Sequence, residues 1–539
     1  MPIYSFGASG GPRGSHEPST ACLDQDGNIL FILEEERFNR FKSSISCFPT
    51  HSLRYVFNKF PHLLNSIRTV SHPGATYKDM HQRWPLYFQH NFGLDTCHRY
   101  FHHQLCHASS AYYSSPFDRA LVVSLDGVGD NSSGCVAIAE DHKLIPLCFF
   151  SPTQSLGFFW SFICQLIGYD GLEDAYKTMG LAPYGTPKYD LSELISYSEG
   201  NFSLSETYFA DKYKFISKHP SEPVYDQLLP CFMKGIPLRK YNQPITQTHM
   251  DIAASAQKMF EDLLLRFFDH YAQKTRIKNL CFAGGTALNS HFNGLLGDSN
   301  IFDKIYIPPL AGDSGLALGA AQLEYARSNL RRPQPINSPY LGSDNYDESD
   351  LSSLLDSLNL KYRKTCFVEV SHILNSAAVI GFFSGRAEAG PRALGNRSIL
   401  ASPRSHSMKD IVNSKIKYRE SYRPFAPVIL PDFYDEYFYP TSCNLEYMTA
   451  VVKAKKIAFE NCPAVVHIDG TSRVQLATPG SAVYSLLSEF YNTCSIPVLL
   501  NTSFNLKGEP NVESPRDAIR TFYSSGLDHL VIWPFILSK

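Results

Sequence analysis

Short apolar runs ending in glycine-bearing turns recur along this chain, and they set the first expectations. Residues 2–40 open with a short strand pattern and a glycine-rich turn, "GASGGPRGSHEPS". They continue with "TACLDQDGNILFILEEERF", where Asp26-Gly27 reads as a hairpin turn between two strands. A second strand with a glycine-bearing end, "ALVVSLDGVGDNSSG" at 120–134, is followed by the apolar run "CVAIAE", so strand, polar glycine turn, strand occurs twice. "CFAGGTALNS" (281–290) and "PPLAGDSGLALGAAQLEYA" (308–326) each follow a short apolar run and lead into a helical pattern, as phosphate-cradling loops do. Duplicated α/β halves whose glycine turns face one cleft account for all four.

The pattern then breaks. Residues 327–350, "RSNLRRPQPINSPYLGSDNYDESD", are polar with several Pro and Gly and read as a linker, which places a boundary between domains 1–340 and 341–539. Beyond it, helical stretches alternate with strands such as "AAVIGFFSG" and "IPVLLNTSF", with no short-period repeat. A length of 539 residues also exceeds what one hydrophobic core serves. The 44% hydrophobic and 19% charged content is that of an ordinary globular chain, and a formal net charge of -2 gives no general attraction for nucleic acid or acidic lipid. The N-terminus lacks the basic and apolar regions of a secretory signal, and the apolar window "LGFFWSFICQLIGY" (156–169) is too short to span a bilayer. Thirteen cysteines without a C-x-x-C pair fit reduced thiols, and the expected location is cytoplasmic.

Three features carry chemistry. His103 and His107 in "HHQLCH" stand four apart, on one face of a helix, as a metal pair does. Gln104 follows His103 where a zinc protease has glutamate, and an amide cannot act as the general base of that reaction. Asp126 ends the strand "ALVVSLDG", and Asp313 in "AGDSG" is expected at the equivalent place of the second half. Two imidazoles and two carboxylates suit iron, zinc or manganese alike, and helix capping is the alternative use of the aspartates. The second feature is the glycine loops, with Gly127 and Gly129 in "DGVGD" and Gly284, Gly285 and Asn289 in "GGTALN", which favour a nucleotide cleft or else tight turning. The third is a basic cluster, Arg386, Arg392, Arg397, Arg404, Lys415, Lys417, Arg419 and Arg423, with few compensating acids and with Arg473, Asn501 and Ser503 in later motifs. A compact cluster in a neutral chain favours a small phosphorylated substrate over nucleic acid.

With these motifs in hand, the chain resembles the NodU/CmcH-type O-carbamoyltransferase family along almost its whole length. The likeness runs through "EEERFNRFK", "HHQLCHASSAYYSSPF", "LDGVGD", "YKTMGLAPYG", "GGTALN", "GDSG", "GPRALGNRSIL", "KYRESYRPFAPV", "HIDGTSRVQ" and "NTSFN", in one order. It implies a duplicated actin-like ATPase (ASKHA) N-terminal domain and a smaller YrdC-like α/β domain. The latter would form carbamoyl adenylate from carbamoyl phosphate and Mg-bound ATP. The former would pass the carbamoyl group to a hydroxyl of a small metabolite, a sugar or natural product, near Fe(II).

By motif, the resemblance assigns the metal to His103, His107, Asp126 and Asp313. It assigns carbamoyl phosphate and nucleotide to Arg392, Lys417, Arg419, Arg423, Arg473, Asn501 and Ser503. It makes His16, in the first glycine turn, the candidate general base, with a turn-capping histidine as the alternative. Two departures, an extended first turn and Ser43 after Lys42 where many relatives have histidine, fall near the expected acceptor pocket, to which Lys42 belongs. They bear on the acceptor rather than the reaction. Rival readings are a non-catalytic nucleotide-binding scaffold, carbamoylation of a protein thiol and modification of tRNA. The retained ligand set, the missing C-x-x-C pairs and the neutral charge argue against each in turn.

Overall fold

The computed structural model describes residues 4–12, 15–209, 230–236, 238–240, 243–344 and 346–539. Strands β1 (Ser5–Ala8), β2 (Ser19–Leu23), β3 (Ile29–Glu34), β4 (Thr69–Pro73) and β5 (Cys97–Phe101) form one sheet in the order β3-β2-β1-β4-β5. The first three make an antiparallel meander, and β4 and β5 join in parallel. The β2–β3 turn forms where Asp26-Gly27 predicts it, because the Asp24 carboxylate accepts the N–H groups of Asp26 and Asn28, both at 2.9 Å.

A second sheet repeats this plan. Strands β6 (Arg119–Gly129), β7 (Ser132–Glu140) and β8 (Lys143–Phe150) form the meander. After a small ribbon of β9 (Ile195–Ser198) and β10 (Asn201–Leu204), β11 (Asn279–Ala283) and β12 (Lys304–Tyr306) join in parallel, giving the order β12-β11-β6-β7-β8. In each half a helix follows the fifth strand, His103–Ser114 in the first and Leu316–Asn329 in the second. Each helix packs on the other half's sheet, the first on β6, β7 and β11, the second on β1, β2 and β4. They also pack against one another so closely that a Cβ on Gly319 would stand 1.9 Å from the Cys106 carbonyl oxygen. This exchange draws the starts of both helices into one place.

The stretch between Asn329 and Glu348 holds no helix or strand among its described residues. It leads to an eight-stranded mixed sheet. Its members come from β13 (Tyr362–Lys364), β14 (Ile380–Phe383), β15 (Arg397–Ala401), β16 (Ala426–Ile429), β19 (Gln475–Leu476), β20 (Val498–Ser503), β21 (His529–Ile532) and β22 (Phe535–Ser538). The order is β13-β22-β21-β14-β15-β20-β16-β19, and β17 (Val452–Lys453) pairs separately with β18 (Thr471–Ser472). The "EEERFNR" motif fastens this sheet to the first. Arg37 Nη2 donates to the Gly390 carbonyl at 2.7 Å, Arg40 Nη2 to that of Pro510 at 3.0 Å, and Arg386 Nη2 returns to that of Leu30 at 2.8 Å.

The apolar window at 156–169 becomes the buried helix Leu156–Leu166. No helix among the described residues is long and apolar enough to cross a membrane. All thirteen cysteines are unpaired.

Candidate active site

Four side chains meet where the two exchanged helices begin. His103 and His107 lie one turn apart on the first helix, Asp126 lies near the end of β6, and Asp313 opens the turn Asp313–Gly315 ahead of the second helix. All four are buried, and each offers a ligand atom within 4.8 Å of the others. His103 Nε2 stands 3.1 Å from His107 Nε2, 3.2 Å from Asp126 Oδ2 and 3.7 Å from Asp313 Oδ1. His107 Nε2 lies 3.5 Å and 3.4 Å from the same two carboxylate oxygens. Two donors that share one ion at about 2.1 Å stand about 3.0 Å apart at a right angle and about 3.4 Å apart in a tetrahedron, so the quartet fits a single small divalent cation.

The electrostatics agree. Burial lowers the His107 pKa, but its contacts with Asp126 and Asp313 outweigh that and hold it at about 9. Burial also opposes ionisation of the two aspartates, yet both stay below the usual carboxylate range. The imidazoles of His103 and His107 do this for Asp126, and His16 with the same pair does it for Asp313. This pocket favours positive charge.

Topology corrects one expectation. Asp126 and Asp313 are not equivalent positions, because Asp126 belongs to the first strand of its sheet while Asp313 follows the fifth. The duplicate of Asp313 is His103, each standing at the start of the helix after a fifth strand. Gly127 and Gly129 likewise lie within β6, and the turn falls one step later, on Asp130-Asn131, both with positive φ (52° and 57°).

The structure gives several residues a supporting task. A Cβ on Gly129 would meet the His103 ring at 2.2 Å, and one on Gly284 the Leu125 carbonyl oxygen at 2.2 Å. The Gly285 N–H donates to Asp126 Oδ1 at 3.0 Å. Asn289 caps the helix Ser290–Asp298 and exchanges hydrogen bonds with Gln257. Of this set, Gly127 alone faces open space. Gln104 accepts from Ser124 Oγ at 2.6 Å and donates to the Ser132 carbonyl at 3.1 Å, so it anchors the helix to the β6–β7 hairpin. Sequence reasoning missed Asp130, whose carboxylate accepts the His103 N–H at 2.7 Å and those of Ala75 and Thr76 at 3.0 and 2.7 Å. The Asp-Asn turn was its only signal.

His16 lies at the rim of the quartet, its Nε2 3.6 Å from Asp313 Oδ2 and its side chain 28% exposed. The Lys42 Nζ lies 5.9 Å from the centre of the Tyr176 ring. Arg423 faces the same ring at 4.7 Å, so Lys42 borders the cationic cluster rather than standing apart from it.

That cluster is smaller than the sequence suggests, and the expected convergence of all eight basic residues fails. Arg386 ties backbone, and Arg397 is buried against the Phe383 ring while donating to the carbonyls of Ser384 and Gly385. Arg404 bonds Asn375, and Lys415 is exposed. Arg392, Lys417, Arg419, Arg423 and Arg473 do converge. Burial and the nearby Arg423 push the Arg392 pKa down to about 10 and that of Arg419 to about 9. Burial and the neighbouring arginines drive Lys417 and Arg473 well below their ordinary values. A guanidinium gives up its proton with great reluctance, so an anion, not proton loss, relieves such crowding. Among the described residues only Arg423 of these five meets a carboxylate, Glu420, at 3.9 Å.

Lys417 is held by Ser503 Oγ at 3.2 Å and Asn505 Oδ1 at 2.6 Å. Asn501 on β20 donates to Gln475 Oε1 at 2.8 Å, and its own Oδ1 is buried without a partner. The arrangement suits binding of a compact, multiply charged phosphate.

Two family models match most of the chain. Residues 92–322 match the family model for the carbamoyltransferase N-terminus, and residues 371–539 that for the carbamoyltransferase C-terminus. The nodulation protein NolNO of Sinorhizobium fredii is 32% identical over all of this chain and 83% of its own length. The nodulation protein NolO of Bradyrhizobium diazoefficiens is 37% identical over 81% of this chain and 78% of its own. Among solved structures, full-length HypF in its phosphate- and nucleotide-bound form covers 60% of this chain and 57% of its own at 13% identity, with a TM-score of 0.38.

Proposed function

This chain belongs to the carbamoyltransferase family, and from that premise we propose that it couples two reactions in two places. Residues 341–539 form a YrdC-like unit that makes carbamoyl adenylate. Residues 1–340 form an actin-like unit that transfers the carbamoyl group to a hydroxyl of a small metabolite. The repeated order of the two N-terminal sheets supports the actin-like reading. The reaction in the C-terminal unit consumes carbamoyl phosphate, ATP and water and releases pyrophosphate and phosphate. The observation that carries this reading is the cluster of Arg392, Lys417, Arg419, Arg423 and Arg473, which crowds positive charge around a buried lysine and half-buried arginines as a site for several phosphate groups would. Guanidinium forks neutralise phosphate oxygens so that an oxygen nucleophile can approach the nucleotide.

Transfer needs a second set of groups. His103, His107, Asp126 and Asp313 would hold a divalent metal, Fe(II) by family likeness, and when bound it supplies Lewis-acid polarisation of a carbonyl or phosphate oxygen. His16 Nε2 takes the proton of the acceptor hydroxyl as that oxygen attacks the carbamoyl carbon and AMP departs. The open face at Gly127 borders the quartet and leaves room for the reacting groups. Carbamoyl adenylate hydrolyses readily, so direct handover from one unit to the other limits its exposure to water.

The test mixes the protein with ATP and carbamoyl phosphate and looks for carbamoyl adenylate by mass spectrometry and for pyrophosphate by enzymatic assay. Both products are expected without any acceptor present. Absence of nucleotide turnover with Fe(II) and Mg(II) supplied contradicts the reading.

A further inference from the structure

Arg473 belongs to the cationic cluster, yet the ribbon that carries it is docked on the N-terminal unit. The helix Ser290–Asp298 packs on residues 449–453 so closely that a Cβ on Gly294 would stand 2.2 Å from the Val451 carbonyl oxygen. Asn293 Nδ2 donates to the Thr449 carbonyl at 2.7 Å, and the Val451 N–H to that of Ser290 at 2.9 Å. β17 continues this segment and pairs with β18, and Arg473 directly follows β18. The turn that enters β18 is closed by the His467 N–H, which donates to the Thr471 carbonyl at 2.7 Å. At that turn His291 Nε2 meets Asp469 Oδ2, while His291 Nδ1 meets Glu261 Oε1, both at 2.9 Å. His291, Asp469 and Arg473 line one cleft between the two units. We propose that His291 is a positioning residue for Arg473, clamping the turn 467–471 to the N-terminal unit so that the anion site of the C-terminal unit is complete only while the two units are docked.

Three observations carry this. The N-terminal side of the bridge is anchored, because Glu261 Oε1 also accepts Gln257 Nε2 at 2.8 Å, and Gln257 exchanges hydrogen bonds with Asn289, the cap of the helix that bears His291. The helix is therefore the fixed side and the turn is the side held. Asp469 passes the constraint on, since its Oδ1 accepts the Thr471 N–H at 3.0 Å and the Thr471 hydroxyl at 2.8 Å, two residues before Arg473. Arg473 also needs a hold on its backbone. Arg392, Arg419 and Arg423 act on it with like charge, and among the described residues no carboxylate pairs with it, so only the chain that bears it keeps it in the cluster. The bridge is charged as well as bonded. Burial lowers the His291 pKa, but Asp469 and Glu261 outweigh this and raise it to about 9, so at neutral pH both ring nitrogens carry protons and each meets a carboxylate.

The inference rests on the reading of the arginine cluster as a phosphate site, and two measurements on the full chain separate them. The first is hydrogen exchange by mass spectrometry on ligand-free wild type, His291→Ala and His291→Gln. Peptides covering 467–471 should exchange about tenfold faster in His291→Ala, with those covering β20 unchanged and His291→Gln in between. Where His291→Ala loosens the whole chain, His291→Gln, which keeps one of the two hydrogen bonds, carries the comparison. The second is pyrophosphate binding by calorimetry without added metal. His291→Ala should raise the dissociation constant about tenfold. Asp469→Asn, which keeps an oxygen for Thr471 and loses the charge opposite His291, should do the same, and the two changes together should cost no more than either alone. Wild-type exchange rates at 467–471 in His291→Ala overturn the proposal, as does a loosened turn with pyrophosphate affinity unchanged, or losses that add. Failure of wild type to bind pyrophosphate defeats the phosphate-site reading instead, and the exchange rates then decide by themselves whether His291 holds the turn.

Discussion

At the scale of single residues, the strongest statement comes from charges placed where they destabilise the chain. Arg473 is half-buried beside Arg392, Arg419 and Arg423, and its buried Nε finds no hydrogen-bond acceptor. A site that stores repulsion of this kind gives up stability for binding. Arg473→Met, similar in length and apolar, should therefore raise the stability of the ligand-free protein by roughly 1 kcal/mol or more. The same variant should lose the thermal stabilisation that wild type gains from pyrophosphate. Differential scanning calorimetry with and without pyrophosphate checks both, and a variant that melts lower yet still responds to the anion contradicts this account.

At the scale of elements, much of the site was legible because it rides on regular structure, and the rest was hidden by topology. The four-residue spacing of His103 and His107 implies one face of a helix, and the helix His103–Ser114 is there. Asp126 and Asp313 were readable as candidate ligands from residue type, but their meeting with the two histidines depends on two helices packing on each other's sheets, which no local pattern encodes. Gly319 shows the cost of reading locally, since within "LALGAAQ" it looks like a weak helix position, whereas it is where the Cys106 carbonyl passes. Arg386 and Arg397 could not be told from Arg392 by spacing, because the carbonyls they bind, that of Leu30 for Arg386 and that of Ser384 for Arg397, are brought to them only by the folding of the chain.

The His291 bridge is another product of tertiary packing, joining the helix Ser290–Asp298 to Glu261 and to Asp469 across the cleft. Burial lowers the His291 pKa, but Asp469 and Glu261 outweigh it and raise it to about 9, above its ordinary 6.5. The contribution of this bridge is then complete below pH 6.5 and is lost as pH rises through about 9. Relative to His291→Gln, wild type should lose stability across that window in urea unfolding, and parallel pH profiles would contradict the assignment.

At the scale of the whole molecule, two sites of opposite character lie in two parts of one chain, a pocket that favours cations between the exchanged helices and a cluster that demands anions beside β20. Lys42, Tyr176 and Arg423 stand between the parts, and Arg37, Arg40 and Arg386 hold them together. Such a layout suits a sequence in which a phosphate-rich first reaction hands a reactive group to a metal-assisted second. It also implies that the two reactions fail separately. The most direct measurement is a pair of half-reaction assays, carbamoyl adenylate formation and carbamoyl transfer to any accepted hydroxyl compound, on Arg423→Ala and His107→Ala, with bound metal counted in each. The account predicts that Arg423→Ala keeps its metal and loses adenylate formation by 100-fold or more, on the order of one lost charge-stabilising donor, whereas His107→Ala loses metal and transfer but still forms adenylate. Equal loss of adenylate formation in both variants would contradict it.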